Sequence, residues 1–160
     1  MTLDNGKNIV KLRLIGFIST LIYVLYVFLA YFPRIFRNIL TEKNVTIITV
    51  AVTFIFLIFL FWPVLMRYRY IWFSADERTI SLRWYKIGLM TGESKSIEIQ
   101  TDRFAGYDIK KKGFGLYHYL TLYQHVQGKK AAYSPVSITA LSKTQRSKIS
   151  DALNVYVSAT

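Results

Sequence analysis

Two lysine clusters and a tyrosine stripe are the residues of this 160-residue chain whose type and spacing could do chemistry. Lys110, Lys111 and Lys112 precede Gly113-Phe114-Gly115, and Lys129 and Lys130 follow Gln127-Gly128. Between the clusters, Tyr117, Tyr119 and Tyr123 occupy odd positions of a run whose even positions carry Leu116, His118, Leu120 and Leu122. Lysines gathered at turns offer a surface to anions, and each basic residue close to acidic lipid contributes about 1 kcal/mol. Taken alone, each cluster reads first as solvated turn lysines that discourage edge pairing. Tyrosines on one sheet face form a protein-contact surface when exposed, and core when the sheet closes around them.

Catalytic chemistry finds little support. The chain has no cysteine, so it offers no disulfide framework, thiolate nucleophile or cysteine-based zinc site. His118 shares the Leu116/Leu120 face and reads as a satisfied core histidine, while alternation puts His125 on the opposite face, so the two do not join in one site. Glu93, Glu98, Asp102 and Asp108 are scattered through turns and strand ends, without a Ser-His-Asp order, a carboxylate pair or a glycine-rich phosphate loop. Gly113-Phe114-Gly115 is too short for such a loop and has no helix after it. The expectation is a binding protein with no catalytic residue, no metal and no cofactor.

The elements that position these residues follow from period-two alternation. Strands are expected over 68–74, 79–86, 95–100, 104–109, 115–126 and 130–138. Turns are expected at Asp76-Glu77-Arg78, between Gly88 and Gly92, at Lys112-Gly113 and at Gln127-Gly128. The period then changes. Ser142-Lys143-Thr144-Gln145 fits a capping box, and Ile149, Leu153 and Tyr156 mark one face of a terminal helix.

The first third of the chain has a different character. Residues 14–33 and 44–66 contain no charged residue, and each run matches the ~20 residues that cross a ~30 Å hydrocarbon core. Two transmembrane helices are expected. The first is read as an uncleaved anchor, since Tyr31-Phe32-Pro33-Arg34 follows where a small-residue cleavage site would stand. Lys7, Lys11, Arg13, Arg67, Arg69, Arg78 and Arg83 flank one side of such a hairpin against Arg34, Arg37 and Lys43 on the other, which favours cytoplasmic termini. Gly16, Ser19, Tyr23, Tyr26 and Ala30 on the first helix, with Thr46, Thr49 and Thr53 on the second, form stripes suited to helix packing. Ile35, Phe36, Ile39 and Leu40 share one side of the intervening loop, as a short interfacial helix would require.

The net charge of +12 therefore divides along the chain. Residues 67–160 hold fifteen basic and seven acidic residues beside the expected second span. The charge reads as topology signal and basic surface, and no nucleic-acid motif accompanies it.

Strand, acidic turn, strand, glycine-containing turn, SIEIQTDRFAGYDIKKKGFGLYHYLTLY, a short strand and LSKTQRSKISDALN together resemble the bacterial pleckstrin-homology-like (PH-like) domains found beside membrane helices. The resemblance covers roughly Tyr68 to Tyr156. It implies an α+β membrane protein in which a two-helix transmembrane hairpin precedes a PH-like split β-barrel with a C-terminal capping helix. It also implies a non-catalytic binding or scaffold module. The basic first hairpin of lipid-binding relatives is replaced here by Asp76-Glu77-Arg78, which argues against phosphoinositide recognition at that place. The expected organisation is a cytoplasmic tail over 1–13, a transmembrane hairpin over 14–66 with an external loop at 34–43, and a cytoplasmic domain over 67–160. The expected location is a bacterial inner membrane. The expected partners are the lipid bilayer, subunits of a membrane complex or a second copy of the chain, and anionic lipid headgroups, without nucleic acid.

Overall fold

A computed structural model describes residues 1–31, 42–87 and 93–157. The chain is α+β. A short strand β1 (Thr2–Asp4) precedes two long helices, α1 (Gly6–Tyr31) and α2 (Glu42–Leu65). Strands β2 (Arg69–Ala75), β3 (Thr79–Lys86) and β4 (Lys95–Gln100) follow, then a 3-10 turn at Thr101–Arg103. The chain continues through β5 (Phe104–Lys112), β6 (Tyr117–Val126), β7 (Lys129–Ala132), β8 (Val136–Ser137) and α3 (Lys143–Val157). Two compact units result: Met1–Ile9 with Pro63–Thr160, and Val10–Trp62.

The β unit consists of two antiparallel four-stranded sheets, one ordered β1-β2-β3-β4, the other β5-β6-β7 with β8 also paired to β6. Alternation works as the sequence requires. Ile80, Leu82 and Trp84 point from β3 into the core, and Ile97 and Ile99 do so from β4. They meet Ile71 and Phe73 of β2, Leu120 and Leu122 of β6, and Ile149 and Leu153 of α3 in one cluster. The capping box forms at the start of α3: the Gln145 N–H donates to Ser142 Oγ at 3.2 Å, and the Ser142 N–H donates to Gln145 Oε1 at 2.9 Å. Two orphan donors of the first helical turn are thereby satisfied.

Four features depart from the sequence reading. Lys110, Lys111 and Lys112, expected in a turn after a strand ending at Ile109, continue β5, and Lys129 and Lys130, expected as turn lysines, open β7, because all five pair with β6. The expected strand over 130–138 is split into β7 and β8, because Pro135 between them has no N–H to give the ladder. Leu116, expected within the long strand on the Leu120 face, lies outside β6 and is exposed. The segment read as a tail is built into the fold: β1 pairs with β2 from Thr2↔Ser74 to Asp4↔Trp72, and α1 starts well before the charge-free run opens at Leu14. Asn5 completes that junction. Its Nδ2 donates to the Arg69 carbonyl at 2.9 Å, and its Oδ1 accepts from the Ile71 N–H at 2.9 Å. The side chain thus continues the β1 ladder by one step where the backbone turns into α1.

The helical unit is held by hydroxyls. Tyr23 Oη lies 2.8 Å from Thr53 Oγ1, and Tyr26 Oη 3.2 Å from Thr49 Oγ1. The crossed order of these pairs makes the helices antiparallel. The Tyr23 ring stacks on Phe56 at 4.3 Å. Of the other stripe positions, Ser19 is half-buried and Thr46 is exposed, while Gly16 has no atom within 4 Å of where a Cβ would stand, so it mediates no close backbone approach. Both helices are long and apolar enough to cross a membrane, and only 6% of each apolar window is buried. The loop positions Ile35, Phe36, Ile39 and Leu40, and the turn between Gly88 and Gly92, lie outside the described residues.

Candidate interaction surface

The β5–β6 register decides which predicted residues share a face. Lys112 opposes Tyr117, Lys110 opposes Tyr119 and Asp108 opposes Thr121. Directly opposed residues of an antiparallel pair project to the same side. Lys110, Lys112, Tyr117, Tyr119 and Tyr123 therefore line the outer face, away from buried Leu120 and Leu122. Across the other edge of β6, Lys130 opposes His125 and joins the same face. Lys111 opposes His118 and Lys129 opposes Val126, so these two lysines of the clusters project to the other side.

On the outer face the cations lie over the rings. Lys130 Nζ is 4.4 Å from the Tyr123 ring centre, Lys112 Nζ is 5.7 Å from that of Tyr119, and the Arg67 guanidinium is 6.0 Å from that of Tyr117. Arg67 Nη1 also donates to the Tyr119 hydroxyl at 3.2 Å. Such contacts contribute roughly 0.5–1 kcal/mol each when exposed. Lys110 is the exception: its Nζ pairs with Asp108 at 3.4 Å, which neutralises its charge locally. The tyrosines are half-buried, covered from above by cations rather than by a second sheet. Lys110 and Lys112 of one cluster, Lys130 of the other and the tyrosine stripe form one surface, and Lys111 and Lys129 stand outside it.

Arg67 is the member that sequence reasoning used only as a topology charge. Its placement comes from the end of α2. The Arg67 N–H donates to the Val64 carbonyl and the Tyr68 N–H to the Pro63 carbonyl, both at 3.0 Å. This is the paired bonding of a Schellman C-cap, whose left-handed residue is usually glycine. Arg67 takes that conformation with φ 51°. A non-glycine residue there costs about 1–2 kcal/mol, so the position retains a side chain against a local preference for none. Arg67 also borders a cleft of about 340 Å³ with Val64, Tyr68, Arg69, Lys86 and Ile87. Arg69 and Lys86 stand directly opposed on β2 and β3, an unfavourable pairing of like charges. Among the described residues no carboxylate is within ion-pair distance of these three cations.

The histidines lie apart, as alternation requires. His125 is exposed on the outer face, while His118 is half-buried on the core side. His118 differs from the satisfied core residue expected: its Nδ1 is buried without a hydrogen-bond partner among the described residues. Burial lowers the His118 pKa below its ordinary value, and the Arg146 and Lys111 charges lower it further. Among the described residues no three His, Asp or Glu side chains gather as a metal group. Comparison with known protein families, curated proteins and solved structures gives no match to this chain.

Proposed function

We propose that this chain is a membrane-anchored interaction module without catalytic chemistry, an accessory subunit that presents a PH-like domain at the cytoplasmic face of a bacterial inner membrane. The observation that carries this reading is the outer face of β5–β6–β7, where Arg67, Lys112 and Lys130 overlie Tyr117, Tyr119 and Tyr123. Aromatic and arginine-rich surfaces are enriched at protein interfaces. Cations already held over rings lose less conformational entropy on binding than free lysines do. The face suits an acidic surface on a partner protein. Helices α1 and α2, apolar and largely uncovered, supply the anchor in this reading, with the excess of Lys and Arg on the terminal flanks setting both termini inside. The resemblance of 68–156 to PH-like domains supports a binding role with no cofactor.

Purification from native membranes in mild detergent, with and without Lys112→Glu/Lys130→Glu, tests the proposal. The expected result is a partner recovered stoichiometrically with the native chain and lost with the charge-reversed chain, both chains melting alike. A native chain that runs as a bare monomer, or a partner indifferent to the reversal, would overturn it. A second reading, direct binding of anionic lipid headgroups, is favoured by the cleft bordered by Arg67, Arg69 and Lys86.

A further inference from the structure

The tip of the β5–β6 hairpin is built around a residue that neither the turn nor water favours. The Leu116 N–H closes the turn on the Gly113 carbonyl at 3.1 Å. The central residues Phe114 (φ 54°) and Gly115 (φ 86°) both have positive φ. This is the sign pattern of a type I′ turn, whose first central position favours Asn, Asp or Gly. A bulky side chain there is an outlier. The twin turn of the same sheet, Gln127 (φ 51°) and Gly128 (φ 75°), has the same signs but places a polar side chain at that position. Phe114 instead holds an apolar ring fully exposed, with exposed Leu116 beside it. Backbone strain and exposed apolar area meet at one residue, a combination that points from an outlier towards a role.

The surroundings indicate what receives the ring. Exposed Lys111 and Lys112 run up to the tip, and the nearest acid in sequence, Asp108, is engaged by Lys110. Just past the tip, the Tyr117 hydroxyl donates to the Leu65 carbonyl at 3.2 Å, and Leu65 closes α2. The strand that leaves the tip is thus tied to the last residue of α2, and the tip carries cations of the sign that anionic headgroups attract.

We propose that the β5–β6 hairpin tip is a membrane-surface anchor. Phe114 and Leu116 enter the boundary between headgroups and acyl chains, and Lys111, which projects to the side of the sheet opposite the Tyr117/Tyr119/Tyr123 face, stands against anionic lipid. Aromatic rings favour that depth, and apolar insertion combined with basic residues is the usual composition of an interfacial contact. The inference rests on the reading that α2 spans the bilayer. It adds a second attachment, which would hold the domain against the membrane rather than let it swing from its tether.

The absence of cysteine makes single-site labelling direct. The full chain carrying Leu116→Cys or, on the twin turn, Gln127→Cys is labelled with an environment-sensitive fluorophore. It is reconstituted into vesicles of phosphatidylglycerol with phosphatidylcholine, or of phosphatidylcholine alone, each containing nitroxide lipid. The label at 116 should be strongly quenched in the anionic vesicles, several-fold less in the zwitterionic ones, and the label at 127 in neither. Phe114→Asn, which suits the turn, should leave folding intact or improved yet remove the quenching at 116. Quenching at 116 no greater than at 127, or unchanged by Phe114→Asn, would overturn the proposal. Shielding of the label without nitroxide quenching would do the same, since it marks a protein contact. Alkaline extraction separates the two layers of inference: a chain stripped from the vesicles removes the anchored reading and the tip with it, whereas a chain that stays while the 116 label remains in water removes the tip alone.

Discussion

Replacing Asn5 with alanine should unseat β1 and the start of α1 from the sheet. Asn5 is 1% exposed, and both polar atoms of its side chain are engaged with the backbone of β2. Alanine removes the partners of the Ile71 N–H and the Arg69 carbonyl together. An orphaned buried group costs about 1–3 kcal/mol. Arg69 and its carbonyl are only partly buried, so the lower half of that range applies there, and the sum is about 2–5 kcal/mol. The loss should appear first as local opening, because β1 is a three-residue strand on the edge of its sheet. Hydrogen exchange of the full chain in detergent would show it: protection of the Ile71 amide should fall by about 25-fold or more, from about 2 kcal/mol at roughly 1.4 kcal/mol per decade. Amides of β5 and β6 should change far less. Asn5→Asp keeps the acceptor for Ile71 but sets a carboxylate against the Arg69 carbonyl, so it should also destabilise, and less so at acid pH where the carboxyl can donate. If Asn5→Ala left the Ile71 amide as protected as in the native chain, the ladder-extending role assigned to this side chain would be wrong.

Two further outcomes are expected. Because the His118 pKa is lowered in the folded state, the unfolded chain binds the proton more readily, so stability should fall as pH drops below the ordinary histidine value of about 6.5 and level off below the folded value. His118→Asn should flatten the pH dependence of the thermal midpoint across that window, and an unchanged slope would assign it to another group. Gly113→Ala should destabilise the domain by about 1–3 kcal/mol, since φ is +59° and the added Cβ would lie 2.8 Å from Tyr117 Cδ2. At ~4–8 °C per kcal/mol for a domain of this size, differential scanning fluorimetry resolves that change.

The elements were legible where local signals agree with burial. Thr79–Lys86 and Lys95–Gln100 alternate cleanly because each strand has one face on the core, and their observed bounds match the pattern. The Ser142–Gln145 box is a local hydrogen-bond device, so four residues suffice to reveal it. The two apolar helices follow from charge-free length alone. β1 was not legible. Three residues show no period, and the partner strand begins more than sixty positions away. The break at Pro135 was visible as a residue but not as a boundary, because a proline interrupts only a ladder whose partner is known.

The candidate surface divides the same way. Sequence alone determined the inventory: two lysine clusters, a tyrosine stripe opposite a leucine stripe, two apolar spans and no cysteine. Those are properties of residue type and short-range period, which exist before folding. Tertiary structure decided the combination. It separated Lys112 and Lys130 from Lys111 and Lys129, brought Arg67 across fifty residues to Tyr117 and Tyr119, and left Phe114 uncovered at a strained turn. Strand register and a helix cap make those choices. Both depend on where the rest of the core places its backbone, a quantity that no local stretch of residues contains.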